Sequence, residues 1–222
     1  MVEISTSVLS VKREGAIKVF YNLEMAHTDY FHIDVMDGKF VENDTREVML
    51  EYANTIKQIS NIPLDVHLMV QDLKENIDEY IGLEPNIITF QLEACKDKNE
   101  VLETINYIKE NNIKVGIAIK PGTDIKEILE YLPYIHMVLI MTVEPGYGGQ
   151  KLIPETINKV EELKKYIKLN NLDIDIEVDG GINLENVQEL KKAGTDIIVA
   201  GTAIISSQDY KQTIEKIKDM EN

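Results

Sequence analysis

Eight short runs rich in β-branched residues, each separated from the next by a segment of helical period, predict a closed (β/α)8 (TIM) barrel. The chain has 222 residues, about 28 for each of eight units, so residues 1–222 are expected to form one barrel domain. A third observation excludes an open doubly wound sheet. That fold carries a glycine-rich phosphate turn after its first strand, whereas Ser10-Val11-Lys12-Arg13 stands there. Strands alternating with helices imply parallel pairing through right-handed crossovers.

The units follow in order. Glu3–Leu9 is the first strand and Gly15–His27 its helix. Tyr30–Met36 sets His32 and Asp34 against Ile33 and Val35 in a two-residue period, and leads to the helical segment Thr45–Ser60. Leu64–Leu68 precedes Leu73–Leu83, and Ile87–Leu92 precedes Lys98–Asn111. After Lys114–Ile119 a helix is predicted over Asp124–Leu132, because Asp124 and Glu127 have the spacing of a capping box. Met137–Met141 leads to Pro154–Asn170, where proline suits a first helical turn and Ile157, Val160, Leu163 and Ile167 make one apolar stripe. Asp175–Val178 is followed by Leu184–Ala193, closed by Gly194, where a left-handed helix terminus is wanted. Ile197–Ala200 and Gln208–Met220 complete the eighth unit.

Composition narrows the partners. Hydrophobic residues at 44% and charged residues at 28% support a sizeable core rather than a disordered chain. Asp and Glu (39) outnumber Lys and Arg (23), a net charge of −16, which argues against nucleic acid or an anionic membrane as partner. A phosphate ligand would then need local attraction from backbone amides or a metal. The apolar runs fall far short of the ~20 residues of a membrane span. The start, MVEISTSVLS, lacks the basic and apolar regions of a secretion signal, so a cytoplasmic protein is expected. Cys95 is the only cysteine, which excludes an intrachain disulfide; it is expected to be a small buried hydrophobe.

Barrel enzymes place their chemistry at the carboxyl ends of the strands. The second strand there carries His32 and Asp34 on one face, the third carries His67, and the seventh ends Glu177-Val178-Asp179. Taken singly, a histidine on a strand is more often a satisfied core residue, and Asp before Gly a turn former. Two imidazoles and two carboxylates at three strand ends instead point to a site for Zn²⁺ or a similar divalent ion, or to an acid–base site. Glycine turns follow the last three strands: Gly146-Tyr147-Gly148-Gly149 after Glu144-Pro145, then Gly180-Gly181, then Gly201-Thr202. Glycine lets amides approach an anion closely, so these turns predict a phosphate site that needs no lysine. His27 and His136 lie away from the strand ends and are expected to be structural or exposed.

At these residues the chain resembles the ribulose-phosphate 3-epimerase family. The matching stretches are Ser5-Thr6-Ser7-Val8-Leu9-Ser10, His32 to Gly38, Asp65 to Val70, Met141 to Gln150, Glu177 to Gly181 and Ala200 to Ile204, in family order across nearly the whole chain. The resemblance implies a barrel of the ribulose-phosphate-binding type and a divalent metal on His32, Asp34, His67 and Asp179, Zn²⁺ first with Fe, Mn or Co as alternatives. It implies that Asp34 and Asp179 form the acid–base pair, that Ser7, His67, Met36, Met69 and Met141 line the substrate pocket, and that the protein is a homo-oligomer. The implied reaction is 3-epimerisation of a ketose phosphate, D-ribulose 5-phosphate to D-xylulose 5-phosphate in the pentose phosphate pathway, with D-allulose 6-phosphate as runner-up. A phosphate-binding lyase or decarboxylase, or a sugar-phosphate sensor, are the rival readings.

Several positions depart from the family pattern. Ser5-Thr6 replaces Ala-Pro or Ser-Pro, Gln91 stands where His is common, Lys120 where Asn is usual, Glu144 for Asn or Asp, and Glu42 for Pro. Lys120 is expected to contact a substrate hydroxyl or Glu144, or to be a solvated surface lysine. The ligand and acid–base positions are intact.

Overall fold

The computed structural model describes residues 2–219. Its eight strands pair in parallel and in chain order into a closed barrel: β1 (Glu3–Ser7), β2 (Tyr30–Met36), β3 (Leu64–Met69), β4 (Ile87–Gln91), β5 (Lys114–Ile119), β6 (Met137–Met141), β7 (Asp175–Asp179) and β8 (Ile197–Val199). The helices are α1 (Ala16–Met25), α2 (Arg46–Ile59), α3 (Leu73–Ile81), α4 (Lys98–Glu110), α5 (Glu155–Leu169), α6 (Val187–Ala193), α7 (Thr202–Ile205) and α8 (Tyr210–Asp219). The predicted last helix residue, Met220, lies outside the described residues. β1 is shorter than expected, ending at Ser7.

Two-residue alternation separates two kinds of interior. Outward-facing Ile33, Val35, Val66, Leu68, Ile88 and Phe90 are buried against the helices in the main core. There Phe20 of α1 meets Phe31 and Tyr52 edge-on, with centroids 6.1 and 5.1 Å apart. Val160, Leu163 and Ile167 of α5 are buried as the stripe predicts, while Ile157 is only partly buried against the same core. The barrel axis has an apolar floor of Ile87, Met137 and Ile197. Above it come polar residues, and Ala118, Leu139, Met141 and Val143 line one side of the mouth.

One prediction fails. Residues 124–135 are not an α-helix but a chain of tight turns, with two 3₁₀ segments at Ile125–Glu127 and Leu132–Tyr134. Amide bonds run three residues back, as in Ile128 N–H to Ile125 O, Tyr131 N–H to Ile128 O and Tyr134 N–H to Tyr131 O. Pro133 has no N–H to continue a ladder. Asp124 accepts the Lys126 amide rather than closing a box with Glu127. Lys159 of α5 anchors the entry to this segment, donating to the carbonyls of Lys120, Pro121 and Thr123.

Inside the barrel, β5 approaches β4 at Gly116, where a Cβ would stand 2.2 Å from Thr89 Oγ1 and 3.0 Å from Thr89 Cβ. Gly116→Ala is therefore expected to cost about 1–3 kcal/mol as an overpacked core. For a chain of this size about 2–4 °C of Tm accompanies each kcal/mol. Calorimetry checks it; an unchanged Tm would mean that β4 and β5 can separate without penalty.

Candidate active site

β2 and β3 pair in a register that sets Asp34 beside His67 and His32 beside Asp65, and β6 pairs with β7 so that Met141 adjoins Asp179. His32, Asp34, His67 and Asp179 meet at the barrel mouth, where candidate ligand atoms from each all lie within 4.8 Å of one another. Asp34 Oδ1 is 3.2 Å from His32 Nε2 and 3.3 Å from His67 Nδ1, and Asp179 Oδ2 is 3.9 Å from His67 Nδ1. Ser7 donates its hydroxyl to Asp34 Oδ2 at 2.7 Å, which orients that carboxylate. The backbone above Asp34 is fixed by Thr45, whose Oγ1 accepts the Met36 amide and donates to Asp34 O.

The donor set suits a divalent cation: two imidazoles and two carboxylates, a borderline nitrogen and oxygen mixture. One atom points the same way. His32 Nε2 is buried and aimed into the cluster, 3.2 Å from Asp34 Oδ1 but with no bond of full hydrogen-bond geometry among the described residues.

The two aspartates are driven apart. Burial pushes Asp34 up, but the flanking His32 and His67 imidazoles outweigh it and hold its carboxyl below the usual range. Asp179 moves the other way, to about 6, through burial first and the charge of Asp34 second. Asp179 is also the most open of the four, with 17% of its side chain exposed against 5% for Asp34.

Beneath them lies a buried layer. Asp65 Oδ2 is 2.6 Å from His32 Nδ1 and accepts the Ser5 hydroxyl at 2.6 Å. Glu177 is fully buried, and burial first, then Asp65, raises its carboxyl well above the ordinary range. Gln91 Nε2 lies 2.9 Å from His67 Nε2. Asp65, Glu177 and Ser5 are not among the site residues that the sequence predicts. Each stands two positions before one that is (His67, Asp179 and Ser7), so strand alternation alone assigns them the inward face.

A cleft of about 660 Å³ opens above the centre, lined by Ser7, Asp34, Met36, Met69, Met141 and Asp179 on one side. Gly146 to Gly149, Gly180, Gly181, Gly201 and Thr202 line the rest, so the three glycine turns converge. Gly181 has φ +67°, and a Cβ there would lie 2.3 Å from the Leu152 amide nitrogen, so only glycine fits beneath the β6–α5 loop.

The altered positions have defined contacts. Glu42 accepts the Tyr147 hydroxyl at 2.6 Å and Asn43 donates to Gly146 O at 2.6 Å, tying the β2–α2 loop to the β6–α5 loop. Lys120 does not reach Glu144; its Nζ stands 4.2 Å over the Phe40 ring. Glu144 is exposed at the cleft rim. His27 is exposed, while His136, also on the surface, accepts the Val115 amide at Nδ1. Cys95 is only half-buried, with burial pushing its thiol up to about 12.

Fold and site together define a barrel enzyme whose His/Asp centre sits at the carboxyl ends of its strands beside a glycine-lined cleft. A sequence model described as the Ribulose-phosphate 3 epimerase family matches residues 3–205. Ribulose-phosphate 3-epimerase of Buchnera aphidicola is 36% identical over 98% of this chain and 94% of its own. That of Bacillus subtilis is 34% identical over 98% of this chain and 99% of its own. The chain belongs to the ribulose-phosphate 3-epimerase family and is an enzyme of the isomerase class. Among solved structures, a 3-hexulose-6-phosphate synthase superposes with TM-score 0.73 at 13% identity, covering 98% of each chain, a likeness of fold.

Proposed function

We propose that this protein interconverts D-ribulose 5-phosphate and D-xylulose 5-phosphate by metal-assisted proton transfer at carbon 3. The observation that carries the reading is the pair of aspartates at one mouth, Asp34 and Asp179, which converge with His32 and His67 so that ligand atoms of all four lie within 4.8 Å of one another. Two carboxyls beside one site can divide the roles of base and acid.

His32, Asp34, His67 and Asp179 would hold the divalent ion, Zn²⁺ first with Fe, Mn or Co as alternatives, and it would supply Lewis-acid polarisation of the neighbouring ketone. One aspartate takes the carbon 3 proton, the C–H electron pair moves into a carbon 2–carbon 3 double bond, and the carbon 2 carbonyl π pair moves onto its oxygen, leaving an enediolate. The other aspartate delivers a proton to the opposite face, which inverts carbon 3. Inversion needs both carboxyls, since the face that lost its proton cannot be the face that regains one. Ser7 orients Asp34. Met36, Met69 and Met141, all buried, offer apolar, non-basic walls that keep bulk water from the enediolate. The phosphate lies against the amides around Gly146 to Gly149, Gly180, Gly181, Gly201 and Thr202, so a chain of net charge −16 binds an anion without a lysine.

The same reading makes the protein a cytoplasmic homo-oligomer. Its single cysteine supports a reducing compartment. Ile17, Tyr21 and Met25, 57–62% exposed along one face of α1, support burial against a second copy. Among the described residues no helix is long and apolar enough to cross a membrane.

The test follows the carbon 3 hydrogen by NMR in D2O, with D-ribulose 5-phosphate and D-allulose 6-phosphate, on chelated and on Zn²⁺- or Mn²⁺-restored protein. Metal-dependent exchange with appearance of the epimer, faster for the pentulose, is expected. Faster turnover of the hexulose would reassign the substrate. No exchange with either sugar in folded, metal-loaded protein would overturn the epimerase reading.

A further inference from the structure

His32 and His67 stand side by side, ring centroids 5.6 Å apart, yet they turn different nitrogens to the centre. His32 aims Nε2 at Asp34 and keeps Nδ1 on Asp65. His67 aims Nδ1 at Asp34 and Asp179 and keeps Nε2 on Gln91. An imidazole that ligates through one nitrogen carries its proton on the other, and in a buried site that proton needs an acceptor.

For His32 the acceptor is Asp65 Oδ2, itself steadied by the Ser5 hydroxyl. For His67 the neighbour is Gln91, fully buried, whose Oε1 has no partner among the described residues. Turning the amide over brings Oε1 opposite His67 Nε2, where it accepts the proton that ligation through Nδ1 leaves there, and moves Nε2 to the place Oε1 now holds. A glutamine serves where a leucine of similar size would not.

We propose that Asp65 and Gln91 are the positioning residues of the metal centre. Asp65 fixes His32 as the Nδ1–H tautomer that offers Nε2, and Gln91, through Oε1, fixes His67 as the Nε2–H tautomer that offers Nδ1. This rests on the metal reading above and adds the two residues that aim the ligands. It also gives Gln91, a departure from the family pattern, a definite role. Gln91 supports its histidine with a neutral amide, whereas Asp65 supports the other with a carboxylate.

The test uses the full chain loaded with Zn²⁺. Long-range ¹H–¹⁵N correlation of the imidazoles is expected to show His32 protonated at Nδ1 and His67 at Nε2. Zn²⁺ affinity, measured by competition with a chromogenic chelator, is expected to fall ~10–100-fold in Gln91→Leu and in Asp65→Leu, the range usual for lost outer partners of ligating histidines. Gln91→Glu, which keeps an acceptor, is expected to stay within a few-fold of wild type. A side chain that merely filled space would change thermal stability and leave the tautomers and Zn²⁺ affinity alone. The same tautomer at both histidines, or Gln91→Leu binding Zn²⁺ within twofold of wild type, would overturn the proposal. If a variant fails to fold, the wild-type tautomers still decide. A wild-type chain that took up no Zn²⁺ would overturn the metal reading and this proposal together, whereas normal uptake with indifferent variants overturns this proposal alone.

Discussion

Asp179→Asn is expected to lower kcat for epimerisation by at least ~10³-fold, within the ~10²–10⁴ that a positioned acid or base supplies. In barrier height ~10³-fold is about 4 kcal/mol. The substitution keeps the size of the side chain, and the residue sits at the open end of β7 rather than in the apolar core, so the barrel should remain folded. Measured at saturating metal, the loss reports on chemistry rather than on occupancy. The informative readout is solvent exchange. With Asp34 intact, one base still faces one side of carbon 3, so one of the two epimers should exchange its carbon 3 hydrogen for deuterium with retention, and the other should not. Asp34→Asn should reverse the pattern. Near-normal epimerisation by Asp179→Asn, or exchange of both epimers, would remove Asp179 from the mechanism.

That the two aspartates are legible in the sequence reflects how strands present side chains. In β2 the apolar Ile33 and Val35 can only face the helices, so His32 and Asp34 must face the axis, and the structure places them there. The same alternation holds for Asp65 before His67 and Glu177 before Asp179, yet neither is predicted as a site residue. A barrel interior is ordinarily filled by branched apolar residues, and two carboxyls stacked beneath two more run against that expectation. The layer is possible because its charge is divided: His32 lies against Asp65, while burial and the neighbouring Asp65 push the Glu177 carboxyl up, disfavouring its charged form. Such sharing depends on distances across three strands. The missing helix after β5 has a different cause. Ile125, Ile128 and Leu132 are spaced as well for turns closed three residues back as for an α-helix. What decides between them is Pro133 and the long-range grip of Lys159 on the carbonyls of residues 120, 121 and 123.

Acidification is expected to strip the metal, and with it all activity, over a window set by Asp179. Its carboxyl must be ionised to ligate, and in the cation-free fold it holds its proton up to about pH 6. Affinity should therefore fall ~10-fold for each pH unit below 6 from this group alone. His32 steepens the fall. Burial would lower it, but Asp65 and Asp34 outweigh burial and raise it well above 6.5, so a second proton must leave before both ligands are free. Stability carries the matching sign. A carboxyl raised from 3.8 to about 6 stabilises the cation-free fold at low pH, and that contribution is lost as pH climbs through 6. The depressed Asp34 and Asp65 act oppositely, stabilising above the ordinary carboxylate range and losing that contribution in stronger acid. Bound Zn²⁺ should thus raise Tm more at pH 7.5 than at pH 5. At fixed, saturating metal a tenfold change in affinity is about 1.4 kcal/mol, or about 3–6 °C for a chain of this size. Melting curves with and without Zn²⁺ at pH 5, 6 and 7.5 read the difference. An equal Tm increment at all three would mean that Asp179 is no ligand, because the proton and the metal would then not compete for the same oxygen.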